Sequence, residues 1–256
     1  MEWIVKCFHQ KKDRRVVIIM DMRTYINQFY IFLNKLSPER FDMCWEERIP
    51  LLGEDTNSMG FNVDYVYHLG WAARIIAKNK PEVHYDLSSS IWLNSVLSAF
   101  IPVKAYEFRK LNVNLEGLEC GDADILKLPF ESNSITSLSC LSVLEHIGLG
   151  KYGDEIDPDG DLKAIEEIKR VVAPNGDLLI NVPIGPTPKV IFNAHRIYSH
   201  KQIVDYFEGF ELKEFAFILT DKAEFLVNPQ LEKIEHPVRP YGHSGYNSGC
   251  FWFRKK

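Results

Sequence analysis

The chain has 256 residues, 46% of them hydrophobic and 25% charged, with a formal net charge of −5. This is the balance of a soluble globular protein, long enough for one large domain or a domain with an extension. The acidic balance argues against nucleic acid as a partner, because phosphate backbones are bound by clustered Lys and Arg. The basic clusters, Lys11 to Arg15 and Arg254 to Lys256, are short and read as solvated ends. No run approaches a membrane span, and Val16 to Met20 is too short for a signal-peptide core. The five cysteines, Cys7, Cys44, Cys120, Cys140 and Cys250, include no C-x-x-C pair, so neither structural zinc nor a disulfide framework is expected. Cys140 sits in an apolar run and reads as a buried thiol. The expected compartment is the cytoplasm.

From Met1 to about Lys80 the texture is aromatic and helical. Tyr25, Phe29, Phe32 and Leu36 recur at helical spacing. Ser37-Pro38-Glu39-Arg40 reads as a helix start, and Leu51 to Gly60 as a loop. Val63, Val66, Tyr67, Ala73, Ile76 and Ala77 predict a helix stopped near Asn79-Lys80-Pro81. From Pro81 strand and helix signals alternate. Val83 to Leu87 is a strand, Ile91 to Phe100 a helix, Val103 to Phe108 a second strand and Leu118 to Cys120 a third. Ile135 to Val143 is the fourth strand. Leu162, Ile165, Ile168, Val171 and Val172 mark a helix face, and Asp161 reads as its N-cap. Ala173-Pro174-Asn175-Gly176 ends that helix before a fifth strand, Asp177 to Val182. Ser199 to Phe207 is helical. Phe210 to Thr220 and Cys250 to Arg254 are the last strands. Such alternation predicts parallel strands with helical crossovers, and the last two, lacking a helix between them, should pair antiparallel.

Ligands of such sheets sit beyond the carboxyl ends of the strands. The first strand ends in Asp86 followed by Ser88, Ser89 and Ser90, where nucleotide-binding proteins of this type carry glycines. The second ends in Glu107, at a distance from Asp86 that suits a carboxylate accepting two ribose hydroxyls. The third leads into GDADILKLPF, where Asp122 could accept from an exocyclic amine. The fourth, SLSCLSVLEHIGLG, ends in Glu145 and His146.

The runs GDADILKLPFESNSI, LSVLEHIG and IEEIKRVVAPNGDLLINVP resemble the central region of class I S-adenosylmethionine-dependent methyltransferases, over roughly Val83 to Pro183. The strings EHIGLGKYGDEIDPDGD and FNAHRIYS resemble an uncharacterised methyltransferase-like family associated with bacterial surface-polysaccharide gene clusters. The resemblance implies an α/β, Rossmann-like class I methyltransferase fold. It would have a mostly parallel seven-stranded sheet with an antiparallel last strand (residues 81–256), behind a helical N-terminal extension over residues 1–80. It also implies S-adenosyl-L-methionine as cofactor, S-adenosyl-L-homocysteine as product and a small-molecule acceptor, a sugar or nucleotide-linked sugar by genomic context. The cofactor contacts it implies are Asp86, Ser88, Ser89, Ser90, Glu107, Phe108, Asp122, Ala123 and Leu141. The departure is the serine triplet: the usual pattern is D-x-G-x-G, and Ser88 and Ser90 occupy the glycine positions. Serine narrows the approach of a ligand and resists some φ values, but its hydroxyl can cap the next helix or bind a carboxylate.

His146, with Glu145 to orient it, and His195 are the candidate catalytic residues, as general bases. His146 can equally pack under its loop as a structural residue. Arg196 is a candidate anion clamp, and its alternative is a salt bridge. Tyr152 and Asp154 could line the acceptor pocket or merely pack a loop. Tyr67, with Tyr65, His68 and Trp71, would cover the cofactor or shape the acceptor site. A metal is not expected, since the first acid of the E-x-x-E-H string found in metal-binding relatives is Ser142 here. Asp157 to Ile168 only faintly resembles a calcium loop, its glycine and last ligand being misplaced. The G-x-S-x-G elbow of serine hydrolases is absent. Two other readings stand beside the enzyme: a non-catalytic binding or scaffold module in glycan assembly, and a transferase using a nucleotide in the same cleft.

Overall fold

The computed structural model describes residues 21–37, 39–52, 59–109, 111–231 and 247–256. The basic cluster Lys11 to Arg15, the apolar run Val16 to Met20, Cys7 and Pro38 lie outside them. The chain divides into two compact units, Met1–Phe61 and Asn62–Lys256.

In the first unit, helix α1 (Met22–Lys35) starts at Asp21, whose carboxylate accepts the Thr24 N–H at 2.7 Å. The expected helix start at Ser37–Arg40 yields only a turn, closed by the Arg40 N–H on the Ser37 carbonyl. Asp42 then accepts its neighbour's N–H, Met43, at 2.9 Å. Such local side-chain bonds compete with helix propagation.

The second unit opens with α2 (Val63–Asn79), capped by Asn62 and stopped by Lys80 in the left-handed conformation before Pro81. Trp71, Ala72, Ile75 and Ile76 form its buried stripe. The unit thus includes α2 and begins before Pro81, where the alternation of strand and helix starts. There follow β1 (His84–Leu87), α3 (Ile91–Leu97), β2 (Val103–Glu107), β3 (Leu118–Asp122), β4 (Ile135–Leu141), a 3-10 turn (Leu144–His146) and α4 (Gly160–Val171). The chain continues through β5 (Val172–Ile184), the hairpin β6 (Lys189–Ile191) and β7 (His195–Ile197), α5 (His200–Tyr206), β8 (Phe210–Leu219), β9 (Glu224–Val227) and β10 (Asn247–Lys255).

The sheet order is β3-β2-β1-β4-β5-β10-β8-β9. The first five of these strands are mutually parallel, and β10 inserts antiparallel between β5 and β8, as expected of the last strand. The sheet has eight strands, not the seven expected. The extra one, β9, returns from β8 as an antiparallel edge; four residues are too few for a period to show in sequence. No helix lies among the described residues between β2 and β3 or between β3 and β4. Those connections are about as short as the shortest helical crossovers, and loops span them instead. Asp161 is not the N-cap of α4: Asp159 holds that place, and Asp161 lies buried in the first turn.

Each central strand alternates between two cores, as a period of two requires. Leu178, Ile180, Phe251 and Phe253 join Ile165 and Ile168 of α4 and Phe207 beyond α5. Leu179, Cys250 and Trp252 face Trp71 and Ile76 of α2 and Leu93 of α3. Each fully buried Leu, Ile or Phe contributes about 1.5–3 kcal/mol. The two cores fix the sheet, and therefore the edge where the strand ends meet.

Candidate functional site

Register puts the acids of the second and third strands side by side, Glu107 opposite Asp122. The β1–α3 loop reaches the same edge, since Leu87 pairs with Tyr106 and the Ser88 N–H donates to the Tyr106 carbonyl at 2.8 Å. Ser88 has φ +52°, the left-handed conformation that glycine adopts freely. A non-glycine residue there costs about 1–2 kcal/mol, so the loop keeps the glycine-type path in spite of its Cβ. Ser90 is extended (φ −95°) and needs no glycine. It is the N-cap of α3, but its hydroxyl makes no capping bond, so the capping role expected of the serines is not filled there. The Ser89 hydroxyl accepts the Leu141 N–H at 2.8 Å and ties the loop to the end of β4.

Asp86 is 1% exposed. Its carboxylate accepts from the Ser89 N–H at 3.1 Å, from Asn94 Nδ2 at 2.9 Å and from the Ser139 hydroxyl. It is therefore a brace under the loop rather than a ligand contact. Glu107 is half-buried. Burial pushes its pKa above the usual carboxylate value, against the influence of the nearby Ser88 hydroxyl. Asp122 is exposed, Phe108 is 51% exposed beside Glu107, and the Ala123 N–H donates to the Glu107 carbonyl at 3.0 Å.

Beyond β4, the 3-10 turn places Glu145 and His146. The His146 Nδ1–H donates to the Ala194 carbonyl at 2.6 Å, which leaves Nε2 as the free acceptor, 3.8 Å from Glu145 Oε1. Burial, reinforced by Lys151, holds His146 down at about 4. That is far from the value a general base needs at neutral pH, and the backbone bond favours a structural role. Burial pushes Glu145 up to about 8, so it is a neutral acid at pH 7, and its Oε2 has no partner. His195, half-buried, packs 6.5 Å from the His146 ring, and burial lowers it too.

Arg196 corrects the reading as an anion clamp. It is 6% exposed, and its fork donates to the carbonyls of Ile147 (2.5 Å), Pro158 (3.0 Å) and Asp157 (3.3 Å), with Asp161 3.5 Å from Nε. Its job is to hold the 147–158 loop. Asp154 also serves that loop: its carboxylate accepts the N–H groups of Gly148, Gly150 and Tyr152. Tyr152 stands edge-on to His146 with the Arg109 guanidinium 4.9 Å over its ring. Tyr67 turns to the β8–β9 hairpin, donating to the Ala223 carbonyl at 2.7 Å and stacking on Phe225. It lines a cavity of about 530 Å³ with Trp71, Arg74, Lys78, Glu214 and Trp252, which does not reach Glu107 or Asp122.

Two residues were missed as a pair. Asp64 and His68 lie one turn apart on α2, with carboxylate Oδ1 3.3 Å from ring Nδ1. His68 is fully buried. The D-x-x-x-H spacing in an otherwise apolar helix was the available signal. Arg109, between Glu107 and Tyr152, had none.

A family model described as "Caenorhabditis protein of unknown function, DUF268" matches residues 130–235. An uncharacterised protein of Methanocaldococcus jannaschii is 30% identical over 118 residues, a match that spans 45% of this chain and 45% of that protein. Among solved structures, a protein from Bacillus halodurans assigned as a methyltransferase is similar over 73% of this chain and 98% of its own, at 18% identity and a TM-score of 0.50. The cyclase SpnF is similar over 73% of this chain and 81% of its own, at 11% identity and a TM-score of 0.52. A protein from Galdieria sulphuraria assigned as a sarcosine dimethylglycine methyltransferase matches over 74% and 86%, at 15% identity and a TM-score of 0.50. The α/β unit thus has the fold of the class I S-adenosylmethionine-dependent methyltransferases, a fold on which a cyclase is also built.

Proposed function

We propose that the protein is an S-adenosylmethionine-dependent methyltransferase of a small molecule. The observation that carries this reading is the strand-end edge itself. Glu107 and Asp122 lie in register beside a β1–α3 loop that follows the glycine-type path at Ser88. These residues fit the cofactor. Glu107 would take the ribose hydroxyls, Asp122 and the Ala123 backbone would face the adenine beside Phe108, and the Ser88–Ser90 backbone would receive the amino-acid end. When bound, the cofactor supplies an electrophilic methyl group on a sulfonium. The chain's part is to align an acceptor behind that methyl and to exclude water. From the resemblance of EHIGLGKYGDEIDPDGD and FNAHRIYS, we take the acceptor to be a carbohydrate of surface-polysaccharide assembly.

Calorimetric titration of S-adenosylhomocysteine tests the reading. Micromolar binding to the wild type that Glu107→Ala abolishes supports it; no binding at millimolar ligand defeats it. One observation favours a non-catalytic module instead. The Ser88 hydroxyl, which donates to the Tyr106 carbonyl at 3.4 Å, also lies close to Glu107 and crowds the ribose acid. In that case nothing binds at this edge, with or without Glu107.

A further inference from the structure

Buried polar groups in folded proteins are nearly always paired, and those left over call for an explanation. At the acceptor end of the sheet several are left over together. Both ring nitrogens of His68, Oδ1 of Asp64 and Oε2 of Glu145 are shielded from solvent without an aligned hydrogen bond. His68 is fully buried and Glu145 is 3% exposed. Helix α2 packs against β4 and β10, and Asp64 in its first turn is near enough to Glu145 of the 3-10 turn for its charge to be felt there. The charges of both acids reach Tyr65 as well. The Tyr65 ring lies 5.0 Å from the His68 ring and is itself 43% exposed.

The arrangement has a direction. Asp64 addresses Nδ1 of His68 and leaves Nε2 without a partner among the described residues. That is the relation of an orienting carboxylate to a base, and such bonds are often long in a protein without its substrate. A carboxylate on Nδ1 selects the tautomer whose Nε2 accepts a proton and stabilises the imidazolium that results. His146, by contrast, has its Nδ1 on a backbone carbonyl, and its nearest carboxyl, Glu145, stands 3.8 Å from Nε2 rather than behind Nδ1.

We propose that Asp64 and His68 are the proton-accepting dyad of this site, that Glu145 binds beside them, and that the methyl acceptor is therefore a hydroxyl compound. This rests on the methyl-transfer reading above. The acceptor oxygen forms a bond to the methyl carbon as the carbon–sulfur bond breaks and its electron pair goes to sulfur. The hydroxyl proton passes to His68 Nε2 and then to solvent. A neutral Glu145 can both donate to and accept from a hydroxyl, whereas an ammonium group would have to force its ionisation.

The test is histidine NMR on the full chain saturated with S-adenosylhomocysteine, the His68 signals being assigned from His68→Gln. Glycerol and methyl α-glucopyranoside serve as hydroxyl probes and methylamine as the amine probe. The proposal expects His68 as the Nδ1–H tautomer, an Nε2 resonance that shifts with a hydroxyl probe, and loss of the Nδ1 proton signal in Asp64→Asn. In His68→Gln the hydroxyl probe should bind about tenfold more weakly, while affinity for S-adenosylhomocysteine should stay within about twofold of wild type. An Nε2–H tautomer, an Nε2 resonance indifferent to both hydroxyl probes, or a response to methylamine alone overturns the proposal and leaves the cofactor site standing. Failure of the wild type to bind S-adenosylhomocysteine removes the methyl-transfer reading and this proposal with it.

Discussion

Replacing Glu145 by glutamine should flatten the alkaline limb of the protein's stability curve. Burial raises the folded-state value of Glu145 to about 8, from 4.5. The folded protein therefore keeps a proton that the unfolded chain has released, and stability falls as pH rises between those values. His84 and His146 work in the opposite direction. Burial lowers them to about 3 and about 4, so they withdraw stability only as pH falls below 6.5. Between pH 6.5 and 8 Asp86, which burial also raises, acts in the same direction as Glu145, whose own titration amounts to about 1.5 kcal/mol at 1.36 kcal/mol per unit. With an m-value near 3 kcal/mol/M, that is a fall of about 0.5 M in the urea midpoint. Glutamine has the shape and donor of a protonated glutamic acid, so Glu145→Gln should fold and lose this share of the fall over the range. A variant that keeps the wild-type slope would refute the assignment of a buried, neutral Glu145.

Ser88→Gly exchanges a strained residue for a permissive one. Relief of about 1 kcal/mol should offset the flexibility gained by the unfolded chain. Stability should therefore hold, while S-adenosylhomocysteine binds about fivefold tighter once the Ser88 side chain no longer crowds the loop beside Glu107; calorimetry showing equal or weaker binding would count against the proposed role of this loop. Ser139→Ala should lower the unfolding free energy by about 1–3 kcal/mol in urea titrations, because it strips a donor from Asp86 and the acceptor from His84 Nε2. An unchanged midpoint would show that the buried chain contributes nothing. Gly148→Ala should cost more than about 2 kcal/mol. Its φ is +77°, and a Cβ would meet the Asp157 carbonyl oxygen at 2.1 Å. A thermal midpoint equal to wild type would contradict the tight packing of the 147–157 loop.

The sequence carried those features that depend on pattern. The apolar spacing of Ile165, Ile168 and Val171 marked α4, the stop at Lys80-Pro81 ended α2, and the absence of a helix after β8 announced the antiparallel β10. Features that depend on neighbours distant in the chain were not legible. Arg196 offers the same guanidinium whether it meets a ligand or three backbone carbonyls, and only the fold brings Ile147, Asp157 and Pro158 to it. His146 stood out because it follows a strand end, yet its Nδ1 is committed to Ala194, supplied by the β6–β7 hairpin. Asp64 and His68 form a local pair, visible in principle at one-turn spacing. Their meaning comes from lacking any other partner, a property of the packed structure alone. Four-residue β9 fell below the length at which alternation can be recognised.

The serine triplet is held by a device that composition does not suggest. His84 and Asp86 face one side of β1, and Ser137 and Ser139 face the same side of β4. The Ser139 hydroxyl donates to Asp86. Its oxygen is then open to His84 Nε2–H at 2.9 Å, and His84 Nδ1 accepts from the Ser137 hydroxyl at 2.8 Å. Each group has one consistent role, and the chain runs in one direction through a neutral imidazole. Burial, which holds His84 down at about 3, enforces that neutrality. At its acidic end the same carboxylate takes the Ser89 N–H and Asn94 of α3. Asp86 therefore joins the end of β1, the loop, the helix and β4 at one point. A glycine loop takes its shape because nothing in glycine resists it. Here Ser88 does resist, and cross-strand hydrogen bonds to its neighbours hold the chain on that path. Weakening the brace while leaving the loop residues intact should accordingly let Ser88 relax toward negative φ, and the edge beside Glu107 would lose its shape before the sheet lost its fold.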